Sequence, residues 1–244
     1  MTPPVTGPVV VTGTDTGVGK TIVTATIAAA AKARGLRVAV LKPAQTGIAP
    51  GSAEETDVET VIRLASPDDA ITLASFPDPL APATAARVAG RAAVALDDVI
   101  AAVQGLAGGH DLVLVEGAGG LLVPMGVDNW TVADLAGALG APLVVVARAG
   151  LGTLNHTALT LEALDHRFLT GLVVIGAWPA HPELVHRTNL ADLPDALAGV
   201  VPEGVGTWTQ PAFRAAAPGW LAPTLHGWLT LDRSALLHDP RDLG

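Results

Sequence analysis

The stretch from Val9 to Ala31, VVVTGTDTGVGKTIVTATIAAAA, constrains the chain more than any other. A β-branched run breaks into a glycine loop, and the loop opens directly into an apolar helix. Strand, loop and helix in that order read as a phosphate-binding loop. Gly13, Gly17 and Gly19 let the backbone turn tightly with its N–H groups inward, and the positive end of the following helix faces the same point. Lys20 is placed to reach the outer phosphates of a nucleotide, and the Thr21 hydroxyl to complete the shell of a magnesium ion. The usual spacing puts a glycine six residues before the lysine. Here Thr14 stands there and Gly13 comes one position earlier, so the loop is a variant. The bland alternative is a glycine-rich strand-to-helix turn with a solvated lysine.

With 244 residues, half of them hydrophobic, the chain can bury one sizeable core, and no composition break or Ser/Gly linker divides it. One domain is expected over 1–244, with loose tails at 1–7 and about 232–244. The net charge of −9 argues against a nucleic-acid or anionic-membrane partner, whose phosphates such a surface would repel. Without cysteine there is no disulfide, no thiolate nucleophile and no cysteine-ligated metal. No basic segment precedes the short apolar run Val9–Val11, and Leu135–Ala147 falls short of the roughly 20 residues that span a bilayer. These features predict a cytoplasmic location.

Strand and helix patterns alternate. Strands are predicted at Pro8–Thr12, Leu36–Leu41, Asp111–Glu116, Leu143–Ala147, Gly171–Ile175 and Gly199–Val201. Helices are predicted at Gly19–Arg34, Glu54–Ala65, Val94–Leu106, Thr131–Leu139 and Thr153–His166, with one or two more between Thr209 and Trp228. Prolines 67, 77, 79 and 82 break the region from Ser66 to Ala92, leaving one short helix near Ala83–Ala89. The nearly continuous apolar strands are those of a parallel sheet covered on both faces. The expected fold is therefore α/β, a mostly parallel sheet with helices on both sides, like the P-loop nucleotide-binding proteins.

In such sheets the ligand crevice lies beyond the carboxyl ends of the strands. Three exits carry chemistry: the glycine loop, Lys42-Pro43-Ala44-Gln45-Thr46-Gly47, and Glu116-Gly117-Ala118-Gly119-Gly120. Lys42 alone is explained equally well by a lysine snorkelling from a strand end. The chain has only three lysines, however, and two of them, Lys20 and Lys42, stand at this edge. A compact ammonium suits a centre where negative charge is transferred. Glu116 ends an apolar strand, as the metal-holding acid of phosphate-loop proteins does, or it is a carboxylate satisfied by backbone N–H groups. Glu54, Glu55 and Asp57 suit a solvated helix start, although Asp57, one turn into that helix, can also face the metal.

GTDTGVGKT, KPAQTG, VEGAGGLLVP and LGTLNH, in this order, resemble the family of ATP-dependent dethiobiotin synthetases. The motifs span Gly13 to His156. The resemblance implies a reaction in which carbon dioxide adds to one amine of 7,8-diaminononanoate, a nucleoside triphosphate phosphorylates the carbamate, and the second amine closes a cyclic urea. It implies that Gly13, Thr14, Asp15, Gly17, Val18 and Gly19 cradle the nucleotide. It further implies that Lys20 and Lys42 hold the carbamate and the transferred phosphoryl group, while Thr16 and Thr46 bind the substrate head. Thr21, Asp57 and Glu116 would hold Mg2+, and Gly117, Ala118, Gly119 and Gly120 would lie against the diamine. Gly152, Thr153, Leu154 and Asn155 would come from the partner of a homodimer and hold the distal carboxylate. His156 is read as a helix-start or interface histidine.

One departure stands out. Many members of that family carry an adenine-reading asparagine after the strand equivalent to Leu172–Ile175, where this chain runs Gly176-Ala177-Trp178-Pro179. Trp178 can stack on a base, and Pro202 and Glu203 can form the opposite wall, but an amide that reads the adenine edge is missing. Relaxed base selectivity is expected. The rival reading is a MinD- or ParA-like nucleotide-switched ATPase. Such proteins carry a lysine near the loop start, where this chain has Asp15, and a basic face or tail, which it lacks. A glutamine-using synthetase of the corrin pathway would need a cysteine.

Overall fold

The Val9–Val11 run is apolar on both faces because it lies at the middle of a sheet with a core on each side. Val9 and Val11 pack into one core and Val10 into the other. The computed structural model describes residues 3–49 and 51–230. In it, β1 (Gly7–Gly13) is flanked by β4 (Leu112–Gly120) and β5 (Leu143–Ala147), and all seven strands run parallel in the order β3-β2-β4-β1-β5-β6-β7. The other strands are β2 (Val38–Thr46), β3 (Asp69–Phe76), β6 (Gly171–Trp178) and β7 (Leu197–Pro202). Helix α1 (Lys20–Ala33) buries an alanine-rich surface on one face, joined by α2 (Asp57–Ala65) and α8 (Gln210–Ala216). On the other face lie α3 (Pro82–Val88), α4 (Leu96–Ala107), α5 (Val132–Leu139) and α6 (Thr153–Asp165), and α7 (Leu184–Asp192) packs beside α6. The α/β class read from the sequence is the class observed.

Several differences from the sequence reading trace to strand β3. Strand β3, between Pro67 and Pro77, was expected to be broken; it is a half-exposed edge strand without the apolar run of the buried strands. Because β3 is there to pair with, β2 does not end at Leu41 but stays extended through Thr46, whose partner is Phe76. Lys42–Thr46 is therefore strand rather than loop. The β2–β4 pairing, in contrast, stops at Leu41 and Val115. Beyond that point the two strands no longer pair, and Lys42 and Glu116 sit where the pairing ends. Strand β4 likewise runs on through Gly120, paired with Gly13 across an irregularity in β1. Helix α2 starts at Asp57 rather than Glu54, because Thr56 caps it in a reciprocal capping box with Glu59. Asp57 is thus the first helical residue and not one turn in. Helix α7 was missed; LVHRTNLAD has too weak an apolar stripe to show it.

The N-terminal segment is tied down rather than loose where it is described. Val5 N–H donates to Thr224 O at 3.0 Å, and His226 Nε2 lies 2.8 Å from Val5 O, which requires the Nε2–H tautomer. Arg34 in turn donates to the carbonyls of His226 and Gly227 at 2.6 and 2.8 Å. The expected C-terminal tail at 232–244 lies outside the described residues. Burial, aided by Arg34 and opposed by the Val5 bond, holds the His226 pKa below 6.5. The folded protein therefore favours the neutral ring. Its contribution is full above about 6.5, the unfolded value, and is lost as pH falls from there through the depressed folded value. Melting temperature should decline from pH 7 to pH 5, and the decline should be shallower in His226→Asn, because asparagine tolerates the left-handed backbone at this position (φ 67°). Equal slopes in the two proteins would remove this role. No helix among the described residues is long and apolar enough to cross a membrane.

Candidate active site

The glycine loop closes over the carboxyl end of β1. Gly19, the residue preceding α1, has φ 96°, and a β-carbon there would stand 2.7 Å from Gly176 O at the end of β6. No other residue type meets both demands. Within the loop, Thr16 N–H donates to Asp15 Oδ1 at 2.7 Å and Lys20 Nζ donates to Asp15 O at 2.9 Å. Burial, with help from nearby Lys42, lowers the Lys20 pKa below 10.5 against the opposing pull of Glu116, Asp57 and Asp15.

Across the gap, the buried Lys42 ammonium binds Glu116 Oε1 at 2.9 Å, Asp57 Oδ2 at 2.6 Å and Gly117 O at 2.9 Å. Burial alone would pull the Lys42 pKa down, but Glu116 and Asp57 outweigh it and raise the value above 10.5. Asp57 shows the reciprocal effect: burial would raise its pKa, and Lys42, Thr21 and Lys20 bring it below 3.8. Thr21 Oγ1 lies 3.0 Å from Asp57 Oδ1 and 2.9 Å from Glu116 Oε1. A hydroxyl and two carboxylates thus converge as a hard-oxygen donor set, the chemistry that suits a magnesium ion. No cluster of three or more His, Cys, Asp or Glu arranged for a metal occurs among the described residues. Gln45, a residue the sequence reading left without a role, aims α2: its Oε1 accepts from Asp57 N–H at 3.0 Å.

These groups line a cleft of about 410 Å3. Thr16, Thr46, Ala118 and Gly119 border both this cleft and a second cavity of about 290 Å3 walled by Pro79, Leu80, Pro82 and Val123. The structure therefore brings together Thr16, Gly17, Gly19, Lys20, Thr21, Lys42, Thr46, Asp57, Glu116, Ala118 and Gly119. Of this wall, Val123 lies in the VEGAGGLLVP motif, whereas the stretch from Pro79 to Pro82 had no signal beyond its prolines. Gly47 N–H, bonded to Phe76 O at 3.2 Å and Asp78 O at 3.1 Å, fastens the end of β2 to that wall.

Trp178, Pro202 and Glu203 lie together but outside the cleft lining. Trp178 pairs with Pro202 in the sheet, and Glu203 N–H donates to Trp178 O at 2.8 Å. The indole meets His186 edge-on at 6.2 Å and packs on the small core around Leu190. The Glu203 carboxylate accepts from Ala180 N–H at 2.9 Å. Gly152–Asn155, at the start of α6, does not line the cleft of its own chain. Leu154, Asn155 and His156 are exposed, and Leu151 is 85% exposed.

A seven-stranded parallel sheet with a glycine loop between β1 and α1, facing a lysine and two carboxylates, defines a P-loop α/β nucleotide protein. A family model described as an AAA domain (AAA_26) matches residues 8–212. The chain belongs to the ATP-dependent dethiobiotin synthetase family. It is 54% identical over 237 residues to the ATP-dependent dethiobiotin synthetase BioD of Streptomyces coelicolor, covering 95% of this chain and 98% of that protein. It is 53% identical over 225 residues to the protein of that name from Rhodococcus jostii, covering 90% and 95%. Among solved structures, the septum site-determining protein MinD complexed with Mg-ADP from Pyrococcus horikoshii aligns with a TM-score of 0.51 at 16% identity, over 87% of this chain and 94% of that one. That likeness is one of fold, and it leaves the switch-ATPase reading without support.

Proposed function

We propose that this chain is a magnesium-dependent ligase that uses ATP to close the ureido ring of dethiobiotin from 7,8-diaminononanoate and carbon dioxide. The observation that carries the site assignment is the junction of the two cavities at Thr16 and Thr46. A charged cleft meets an apolar-walled one there, as a molecule with a diamine head and a methylene chain requires. One amine adds carbon dioxide and loses a proton to become a carbamate. A carbamate oxygen attacks the terminal phosphorus and the nucleoside diphosphate leaves; the second amine then attacks the carbamoyl carbon and inorganic phosphate departs. Lys42, held protonated by its two carboxylates, neutralises the carbamate. Lys20 turns from Asp15 O to the transferred phosphoryl group, and the loop N–H groups hold the remaining phosphates. Thr16 and Thr46 orient the amines. Thr21, Asp57 and Glu116 would hold the magnesium ion, whose charge when bound offsets that of the phosphates.

The active unit is a homodimer in which Gly152–Asn155, with Leu154 and Asn155 exposed, reaches the partner's apolar cavity and its helix N-terminus takes the carboxylate. The base lies by Trp178, Pro202 and Glu203. With no side-chain amide there to read adenine, selectivity is relaxed. The deciding experiment follows labelled bicarbonate into an acid-stable product with ATP, magnesium and the diamine, then repeats it with CTP and GTP. Diamine-dependent stable label is expected, with all three nucleotides within about tenfold, since a pocket without directed hydrogen bonds discriminates weakly. No label from a protein that binds ATP would overturn the ligase reading. A strong preference for ATP over both competitors would overturn the relaxed selectivity alone.

A further inference from the structure

We infer that Arg148 is a positioning residue for the nucleotide loop, acting through Asp15. Arg148 follows the last residue of β5, 133 positions from Asp15, and its Nη2 donates to Asp15 Oδ2 at 2.8 Å. Its Nε is buried with no acceptor. Asp15 is the hub of the loop: one carboxylate oxygen takes the Thr16 N–H, the other takes Arg148, and its carbonyl takes the Lys20 ammonium. Holding that carboxylate fixes both the peptide that Thr16 presents to the substrate head and the carbonyl on which Lys20 rests before phosphate arrives.

The base of this strut is itself fixed. Thr14 N–H donates to Val146 O at 2.9 Å, and buried Asn189 on α7 donates through Nδ2 to Ala149 O and Gly150 O, each at 3.0 Å. Arg148 thus projects from backbone pinned on both sides. The loop carries flanking glycines, so without the strut it would sample more conformations and bind phosphates less well. The same backbone runs on through Gly150 to Gly152, so the nucleotide loop and the start of α6 share one support.

The inference rests on the assignment of this loop to the nucleotide. Equilibrium binding of ADP and steady-state kinetics should be measured for the native protein, Arg148→Ala, Asp15→Asn and the double variant at low and high salt. Each single change should weaken ADP binding about fivefold, the size expected for a partly exposed charge pair, and raise the KM for ATP more than it lowers kcat. The double variant should lose little beyond either single change, and the native affinity should fall with salt more steeply than that of Arg148→Ala. Native-like ADP affinity in Arg148→Ala, or losses that add fully in the double variant, would overturn the strut. Failure of the native protein to bind ADP would instead overturn the loop assignment.

Discussion

Lys42→Ala should lower turnover by about two to three orders of magnitude, the usual cost of removing a donor aimed at developing negative charge. Lys42 is also the counter-ion of a carboxylate pair. Its removal leaves the Glu116 side chain, only 2% exposed, facing Asp57 with no ammonium between them. An uncompensated buried charge costs about 3–5 kcal/mol, so melting temperature should fall with activity. The two effects separate in Lys42→Ala/Glu116→Gln. That protein should regain most of the stability, because the orphaned charge is gone, and none of the turnover. Recovery of turnover would remove both Lys42 and Glu116 from the reaction. A second arm addresses the proposed sharing of the site between two protomers. Lys42→Ala protomers mixed with Asn155→Ala protomers should recover activity absent from either alone, because one of the two sites in the mixed dimer would have its own Lys42 and its partner's Asn155. Absence of recovery after verified subunit exchange would remove the partner from the site.

Gly176→Ala should weaken nucleotide binding by pushing on the phosphate loop from behind. A β-carbon at Gly176 would stand 2.0 Å from Val18 O and 2.7 Å from Val146 Cγ1. Val18 belongs to the loop and Val146 to the central strand, so one of them must move. The carbonyl of Gly176 also backs Gly19, the last residue before α1. Overpacking of this kind costs about 1–3 kcal/mol, and here it falls on the loop that must hold its N–H groups in register. ADP affinity should drop by at least about tenfold, since displaced donors lose phosphate bonds. Gly137→Ala is the control: it lies inside α5 with nothing near its β-carbon position and should stabilise by about 0.5–1 kcal/mol. Native-like ADP binding by Gly176→Ala would mean the loop yields without harm.

Local signals carried the reading from sequence as far as they reach. The order of strand, glycine loop and helix over Val9–Ala31 was legible because all its information lies within one short segment. The buried strands were legible because parallel strands covered on both faces are apolar throughout. Edge strand β3 was not, since half of it meets solvent and its flanking prolines look like breaks when they only bracket it. That omission in turn misplaced Lys42–Thr46 in a loop. Lys20 was legible from the glycine loop, and Lys42 and Glu116 from the ends of their apolar runs. Arg148 and Gln45 act through partners 133 and 12 positions away, on other elements, and no periodicity records such a meeting.

The central place of β1 has a consequence for biosynthesis. Its hydrogen-bonded neighbours are β4, beginning at Leu112, and β5, beginning at Leu143, while its sequence neighbour β2 does not pair with it. As the chain leaves the ribosome, Val9–Val11 must wait for more than a hundred further residues before it can be paired on either side. At about 5–20 residues per second that interval lasts several seconds or more. Throughout it this buried apolar run is without its sheet, which makes this N-terminal segment the natural target of a holding chaperone and the place where premature aggregation would begin.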